Sequence, residues 1–456
     1  MNIARAEETD LTAALKALSD KLSLRTGMVS AASNEKTVAV FGEALAPREA
    51  VRWILEAVRE RGDEAVSEYT EKLDGAALTP ESFRVSREEI REAYEQAPET
   101  LREALARAKE NIWRFQEHIR VRTPPPLHNA QGGIVTARYA PLARVGVYVP
   151  GMRAAYPSTV LMAAAPAQVA GVREIAVVTP CTADGNVRPE TLAAAHEAGL
   201  TEVYRIGGAQ AIGALAYGTA TIKRVDKIVG PGNLFVTLAK REVYGEVDLD
   251  MLAGPSEILI IADDSANPAF LAADLLSQAE HDPAASILLT PDEPTAKAAA
   301  EEIEQQVKRL PREQAARACL EQYGFIGVTR DLDQAVELAN RFAPEHLELA
   351  VAEPRALLPK IESAGAVFVG HYTPESVGDY TAGPSHVLPT GGTARFFSGL
   401  SVNDFLRRTS VMTYSREALR KVAEDVDVIA RAEGLDAHAR AATIRFDEDE
   451  GDARRP

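Results

Sequence analysis

The sequence lacks several features that whole classes of protein need. Its 456 residues include two cysteines, Cys181 and Cys319, too few for a disulfide framework or a cysteine-based zinc site. The longest apolar run, "TVLMAAAPAQVAGV" at 159–172, is too short to span a bilayer and contains Pro166. The beginning, "MNIARAEETD", lacks the basic and then apolar layout of a signal peptide. We therefore expect a protein of the reducing cytoplasm.

Positive charge is scarce too. The chain has 50 Lys and Arg against 67 Asp and Glu, a formal net charge of −17. Nucleic acid and anionic membrane surfaces both attract clustered positive charge, so neither is expected as a partner. Hydrophobic residues make up 46% of the chain, which is enough for large cores, and the length fits two or three domains.

The pattern of apolar residues changes along the chain and predicts its domain organisation. Residues 1–133 are predicted to be mainly helical, because apolar positions recur at three-to-four spacing, as in 47–73. This region ends at the Pro- and Gly-rich "RTPPPLHNAQGG". Short apolar runs then alternate with helical segments in 134–245 and again in 246–376, and 377–456 are predicted to form a Gly-rich loop and a helical tail.

The alternation predicts two consecutive α/β domains. The strands of the first are "VGVYVPG", "EIAVVTP", "EVYRIGG" and "DKIVGPG", and those of the second are "SEILIIAD", "ASILLT", "YGFIGVT" and "GAVFVG". Strands separated by helices form parallel sheets through right-handed crossovers. The fold class is therefore α/β: two Rossmann-like, doubly wound halves with an N-terminal helical region and a small helical C-terminal tail. In the tail, Ser415 is placed to cap one helix, Gly434 to end it, and a second helix carries His438.

Three turns of the first half follow strands at their carboxyl ends, where such sheets bind ligands. They are "YVPG" (148–151), "GGAQAIG" (207–213) and "GPGN" (230–233). Glycine lets the backbone approach a ligand, and the helix N-terminus behind it favours phosphate, although Gly and Pro also turn chains for purely steric reasons. The G-x-G-x-x-G fingerprint is absent. Three such turns in one sheet nevertheless favour a nucleotide site.

Polar residues cluster at the end of an apolar, helix-like run, "LLSQAEHD". Gln278 and His281 are three residues apart and share one helix face, which is either a solvated helix end or part of a metal site. The other residues whose chemistry suits zinc are Asp379, His386 and His438. Their spacing does not by itself bring them together, so residue chemistry leaves both interpretations open.

The segment "FAPEHLEL" places Glu345 beside His346. Pro344 before them predicts a helix start or a tight turn. A carboxylate beside an imidazole offers two groups that exchange protons near neutral pH, and the alternative is an ordinary solvated turn.

Eight segments resemble the histidinol dehydrogenase family, in the family's order. They are "YPSTVLMAAAPAQVAGV", "GGAQAIGALAYGT", "DKIVGPGN", "DMLAGPSEILIIAD", "LLSQAEHD", "FAPEHLEL", "GDYTAGPSHVLPTGGTARF" and "EGLDAHARAATIR". The resemblance implies a zinc enzyme that oxidises L-histidinol through L-histidinal to L-histidine, the last step of histidine synthesis, and reduces two NAD+ in sequence. It also implies a homodimer in which the C-terminal segment of one protomer reaches the site of its partner.

The resemblance assigns roles residue by residue. The implied zinc ligands are Gln278, His281, Asp379 and His438. The implied proton acceptors are Glu345 and His346. Substrate contacts are implied for the four ligands, for His346, and for Ser256, His386 and Glu433. Nucleotide contacts are implied for Tyr148, Gln210 and Asn233, one on each of the three turns. Three neutral ligands and one carboxylate would leave zinc a net positive charge for a nitrogen- and oxygen-rich substrate.

The chain departs from the family pattern in places. Met152 and Arg153 stand where the family often has "PGG", Ser385 stands where Asn is common, and the first twenty or so residues are an extension without an assignment. Other interpretations are a relative that oxidises a sulfonated diol, a zinc hydrolase in which Glu345 activates water, and a nucleotide-binding protein without catalysis. "GPSHVLPT" and "EGLDAHA" favour histidinol, because they carry the implied contacts to its imidazole side.

Overall fold

The computed structural model describes four stretches of the chain: 3–22, 37–151, 154–281 and 283–447. The chain divides into two compact units. Unit 1 contains Met1–Ile119 and Leu142–Phe405, and unit 2 contains Arg120–Pro141 and Leu406–Pro456. Among the described residues, no helix combines the length and the apolar character that a membrane crossing requires.

The strands form three sheets. In chain order they are β1 (Ile3–Arg5), β2 (Leu127–His128), β3 (Ile134–Pro141), β4 (Arg144–Tyr148), β5 (Glu174–Val178), β6 (Val203–Tyr204), β7 (Lys227–Val229), β8 (Asp248–Leu249), β9 (Ser256–Ala262), β10 (Ala284–Thr290), β11 (Gly324–Val328), β12 (His346–Ala350), β13 (Ala366–Val369) and β14 (Leu406–Thr413). All eight strands predicted from the sequence are present, which confirms the two parallel α/β halves.

The helices that the structure describes cover both parallel sheets and complete unit 2. In unit 1 they are α1 (Leu11–Leu22), α2 (Pro47–Arg61), α3 (Asp63–Asp74), α4 (Arg87–Gln96), α5 (Glu99–Ile119), α6 (Pro157–Ala170), α7 (Pro189–Glu197), α8 (Gly208–Tyr217), α9 (Leu234–Val243), α10 (Pro268–Ala279), α11 (Glu293–Gln306), α12 (Glu313–Tyr323), α13 (Leu332–Phe342), α14 (Pro354–Leu357) and α15 (Glu375–Tyr380). In unit 2 they are α16 (Arg416–Ala432) and α17 (Asp436–Thr443).

Sheet 1 has five parallel strands in the order β6–β5–β4–β7–β8. The chain therefore runs outward from β4 in one direction, returns, and continues from β7 in the other. The point between β4 and β7, where the direction reverses, is where open α/β sheets bind ligands. Tyr148 ends β4 beside this point, and the turn "GPGN" follows β7 on its other side.

Sheet 2 has six parallel strands in the order β1–β11–β10–β9–β12–β13. It repeats the arrangement of sheet 1, with the reversal between β9 and β12, and gains β1 as an extra edge strand. The N-terminal extension, which had no assignment from sequence, thus supplies both β1 and α1 to this half.

Alternate side chains of β9 show that sheet 2 is covered on both faces. Ile258 and Ile260 pack with α10, α11 and α12, whereas Leu259 and Ile261 pack with α1 and α13. Side chains along a strand alternate between faces, so two apolar faces require a continuous apolar strand such as "EILIIA". This explains why the strands of both halves are recognisable as unbroken apolar runs.

A buried ion pair fixes the "GPGN" turn of sheet 1. The Lys240 ammonium on α9 pairs with Asp250, and both side chains are almost fully buried. The same ammonium donates a hydrogen bond to the carbonyl of Gly230 at 2.9 Å, and Asp250 accepts one from the Gly230 N–H at 2.7 Å. Gly230 has a φ of 109°, and a Cβ there would collide with the carbonyl oxygen of Tyr148. Only glycine therefore fits where this turn meets the end of β4.

Unit 2 is built on an antiparallel sheet in the order β14–β3–β2, followed by two helices. The sequence predicted both helices, and the Ser415 side chain caps α16 as expected by accepting from the Ala418 N–H. Gly434 lies in the left-handed region beyond its end. Strand β14 was not predicted, because its residues after Leu406 are mostly exposed and show no apolar pattern.

Candidate active site

The candidate bases and metal ligands of unit 1 gather at the amino-terminal edge of sheet 2. Ser256 is the first residue of β9 and His346 is the first residue of β12, and the register pairs His346 with Ile258. Of the two predictions for this pair, a helix start or a tight turn, the helix start is wrong. Glu345 lies in a bend and His346 enters a central strand, because Ala343 adopts a left-handed conformation that ends α13 just before Pro344.

The backbone of Glu257 holds both proposed bases. Its N–H donates to Oε2 of Glu345 at 3.0 Å, and its carbonyl oxygen lies 3.1 Å from Nδ1 of His346. A carbonyl only accepts, so Nδ1 carries the hydrogen and Nε2 keeps the lone pair. His346 is buried, and Nε2 has no hydrogen-bond partner among the described residues. It lies 3.8 Å from Oδ1 of Asp379 and is therefore positioned to receive a proton.

A compact group of possible metal ligands lies next to His346. One ligand atom each from His281, Glu375 and Asp379 lie within 4.8 Å of one another. Glu375 and Asp379 are four residues apart on α15, which begins at the end of the predicted second α/β domain and continues into the predicted Gly-rich loop that starts at 377. Gln278 lies on α10, fully buried, and neither atom of its amide has a hydrogen-bond partner among the described residues.

This donor set suits a divalent cation such as zinc. No Lys or Arg among the described residues forms an ion pair with Glu375 or Asp379, and the imidazole of His346, which lies within 4.0 Å of both, is neutral. Buried carboxylates are normally paired or coordinate a metal, and a buried amide normally has a partner. Helix α10 also ends here, and the partial negative charge of a helix C-terminus favours a cation.

Burial sets the protonation of these groups. Loss of solvent raises the pKa of Glu345 well above its ordinary value, that of Glu375 to about 8 and that of Asp379 to about 6. It lowers the pKa of His346 to about 3. Burial thus shifts each group toward its uncharged form, and a bound cation would favour the ionised carboxylates.

His386 connects this group to the first half. Its Nδ1 lies 3.0 Å from the carbonyl of Asp379, and its Nε2 lies 3.1 Å from the hydroxyl of Thr159. The neighbouring Ser385 is buried, and its hydroxyl donates to the carbonyl of Met162 at 3.0 Å. Serine at this position therefore still ties the "GPSH" loop to α6.

The three predicted nucleotide contacts lie on the turns at the carboxyl edge of sheet 1. The Tyr148 hydroxyl accepts from the Gly208 N–H at 3.2 Å, and Gln210 is buried without a partner for its amide among the described residues. The Asn233 side chain caps α9 by accepting from the Val236 N–H at 3.1 Å. An unsatisfied amide beside a glycine-rich helix start fits a polar ligand. Met152 and Arg153 lie outside the described residues.

The two remaining predicted residues, Glu433 and His438, belong to unit 2. They line a cavity of about 380 Å³ together with Tyr414, Ile429 and Leu435. Within unit 2 this places the carboxylates of Glu433 and Asp425 and the imidazole of His438 among mainly apolar lining residues.

Sequence reasoning missed Glu257 and Glu375. Glu257 follows Ser256 in a strand and acts through its backbone, which no residue pattern reveals. Glu375 had a usable signal, because it precedes Asp379 by four residues, the spacing that places two side chains on one helix face.

Two doubly wound parallel sheets, one with ligand-binding turns and one with a buried imidazole beside carboxylates, define an α/β enzyme. The sequence profile of the histidinol dehydrogenase family matches residues 43–446. Histidinol dehydrogenase of Rhodopirellula baltica is 51% identical over 94% of each chain, and that of Heliobacterium mobile is 53% identical over 87% of this chain and 93% of its own. The crystal structure of histidinol dehydrogenase from Elizabethkingia anophelis matches with a TM-score of 0.85 at 37% identity, covering 91% of this chain and 96% of that one.

The chain belongs to the histidinol dehydrogenase family and is an oxidoreductase. The resemblance drawn from its motifs is thereby confirmed.

Glu257 gives a test of the buried carboxyl groups. Burial raises its pKa to about 8 from an ordinary 4.5, and Oε2 has no partner among the described residues, as expected for a retained proton. Between these values the folded chain holds a proton that the unfolded chain releases. The parent chain should therefore lose up to about 1.4 kcal/mol of unfolding free energy per pH unit through this group as pH rises.

Glu257→Gln removes that dependence. Urea unfolding of chelator-treated protein is measured at pH 5 to 8. The free energy of unfolding of the variant should rise relative to that of the parent as pH rises. Glu362→Gln, at an exposed glutamate, should show no such rise. A constant difference between Glu257→Gln and the parent across this range would contradict a protonated Glu257.

Proposed function

We propose that the chain is a zinc- and NAD-dependent histidinol dehydrogenase that converts L-histidinol through L-histidinal to L-histidine. The observation that carries this proposal is the buried, neutral His346, whose lone-pair nitrogen faces Asp379 next to His281. An alcohol held against this group would place its hydroxyl proton beside a base of fixed orientation.

His346 acts in the first oxidation. Its Nε2 accepts the hydroxyl proton while the carbon-bound hydrogen leaves as hydride, which gives the aldehyde. The imidazolium formed is stabilised by Asp379 and Glu375, whose carboxylate oxygens lie 3.8 and 4.0 Å from its ring nitrogens. Nδ1 remains bonded to the Glu257 carbonyl throughout, so the ring keeps its orientation.

Glu345 acts in the second oxidation. The aldehyde has to add water before a second hydride can leave, and Glu345 takes a proton from that water. One of its oxygens is held by the Glu257 N–H, which leaves the other for this task. Two bases on adjacent residues thus serve two different proton transfers.

Two groups that the family implies fit the residues present. The proposed zinc ligands are Gln278, His281, Asp379 and His438, and bound zinc would polarise the substrate and favour ionised carboxylates. The proposed NAD+ contacts are Tyr148, Gln210 and Asn233, and bound NAD+ would accept one hydride in each oxidation. The unsatisfied amides of Gln278 and Gln210 support both assignments.

Selectivity for histidinol is proposed to come from Ser256, His386 and Glu433. Ser256 begins β9 next to the two bases, and His386 is fixed by Asp379 and Thr159. Glu433 would supply a carboxylate for the cationic or imidazole part of the substrate.

The direct test follows NAD+ reduction with L-histidinol as substrate. We expect two equivalents of NADH per histidinol, and a loss of roughly 100-fold or more after complete zinc removal or in folded His281→Ala. A sulfonated diol and a simple ester serve as competing substrates for the alternative functions. Activity with the diol alone, or hydrolysis alone, would contradict the proposal, and full activity without zinc would remove the metal from it.

The division between the bases predicts different defects. Glu345→Gln should slow the oxidation of L-histidinal by roughly 100-fold while the oxidation of histidinol to histidinal is affected less, because only the second step needs water activation. His346→Gln should slow the first step. Single-turnover measurement of both half-reactions separates these effects, and equal losses in both steps for Glu345→Gln would refute the division.

The site is proposed to be shared between two protomers. Gln278, His281 and Asp379 belong to unit 1, whereas Glu433 and His438 belong to unit 2. If unit 2 of one protomer completes the site of its partner, the homodimer is obligate for catalysis.

Complementation between two inactive variants tests this arrangement. Differently tagged His281→Ala and His438→Ala chains are co-expressed and the mixed dimer is isolated by both tags. With exchanged tails one site carries both lesions and the other none, so about half of the parent activity should return. If each tail serves its own protomer, every site keeps one lesion and the purified mixed dimer stays inactive.

A further inference from the structure

Glu375 is a buried acid to which neither the sequence pattern nor the family resemblance assigns a role. It is 2% exposed, and it opens α15 four residues before Asp379. Residues four apart on a helix project to the same side. Glu375 and Asp379 accordingly belong to the same ligand group as His281.

The end of α10 contacts the same group. Gln278 is the second-last residue of α10, and His281 follows three residues later. The Ser277 hydroxyl of this helix donates to the Asp274 carbonyl, at 2.9 Å, and to Oε2 of Glu375, at 3.1 Å. That contact fixes one carboxylate oxygen of Glu375 against α10. The other, Oε1, lies on the side of His346, 4.0 Å from its Nδ1.

We infer that Glu375 is a ligand of the metal ion, so that Gln278, His281, Glu375 and Asp379 form a four-donor site contained in unit 1. This inference rests on the proposed zinc requirement. Two carboxylates, one imidazole and one amide oxygen are suitable zinc donors, and four protein ligands fill a tetrahedral site. The unsatisfied, fully buried Gln278 amide and the absence of a described Lys or Arg partner for Glu375 both point to a cation between them.

The consequence concerns His438. With four donors in unit 1, the chain would hold zinc without a ligand from unit 2, so His438 would not be required for zinc to bind. These four donors would carry two negative charges, one more than the set with His438 in place of Glu375.

The test measures zinc affinity rather than activity. Zinc is titrated against a chromophoric chelator for the parent, Glu375→Gln, His438→Ala and the double variant, and cobalt(II) spectra report the ligand geometry. His438→Ala should still bind one zinc per chain. Glu375→Gln should weaken binding by about tenfold or more in the parent and by a larger factor in the His438→Ala background, where no replacement ligand remains.

Glu348→Gln is the matched control. Glu348 is equally buried and accepts the Glu375 N–H at 2.8 Å, but it lies outside the ligand group, so its amide variant should keep the parent affinity. Circular dichroism confirms that each variant is folded. Unchanged affinity of Glu375→Gln in both backgrounds, with a parent that binds zinc, overturns the inference alone. A parent that binds no zinc overturns it together with the zinc requirement, whether or not histidinol is oxidised.

Discussion

The register between β9 and β12 is the constraint on which the site depends. It pairs His346 with Ile258 and so sets the Glu257 peptide between the two proposed bases, where it donates to Glu345 and accepts from His346. A slip of one residue would exchange the faces of every side chain on the strand. Such a slip would disrupt the apolar side chains that pack on both faces of β9. The positions of the two proposed bases are therefore fixed by apolar packing that extends well beyond the site.

The two proposed binding sites lie at opposite edges of their sheets, and helix dipoles account for the difference. At the carboxyl edge of sheet 1, α8 and α9 begin, and the partial positive charge of their N-termini suits a pyrophosphate. At the amino edge of sheet 2, α10 ends beside His281, and the partial negative charge of its C-terminus suits a metal ion. The rule that ligands bind at the carboxyl ends of parallel strands supports the first proposed site and does not bear on the second.

Sequence analysis predicted the strands whose burial produces an apolar pattern. It missed residues whose importance depends on their position in the folded chain. The strands of both halves are apolar on two faces and were recognised, whereas β12, written "HLELA", carries His346 and Glu348 and was not. Both polar residues are tolerated because they point into the site and not into the core. The metal and base residues came from motif resemblance, since their separation along the chain exceeds anything that local pattern can connect. Glu375 was not predicted, because none of the eight recognised segments includes it.

The buried carboxyl groups at the amino edge of sheet 2 attract a cation, and without one they lower the stability of the fold. Glu348 accepts the Glu375 N–H, and the nearby Asp274 raises the pKa of Glu348 further beyond the effect of burial. Carboxyl groups so close together can ionise together only if a cation joins them. Without it, each proton they retain is one that the unfolded chain would release at neutral pH, which lowers the stability of the fold. The repulsion between Glu375 and Asp379, the two carboxyl groups of the ligand group, would raise the affinity for a divalent ion, because binding relieves it. The buried carboxyl groups thus lower the stability of the metal-free protein and favour a positive charge beside His346.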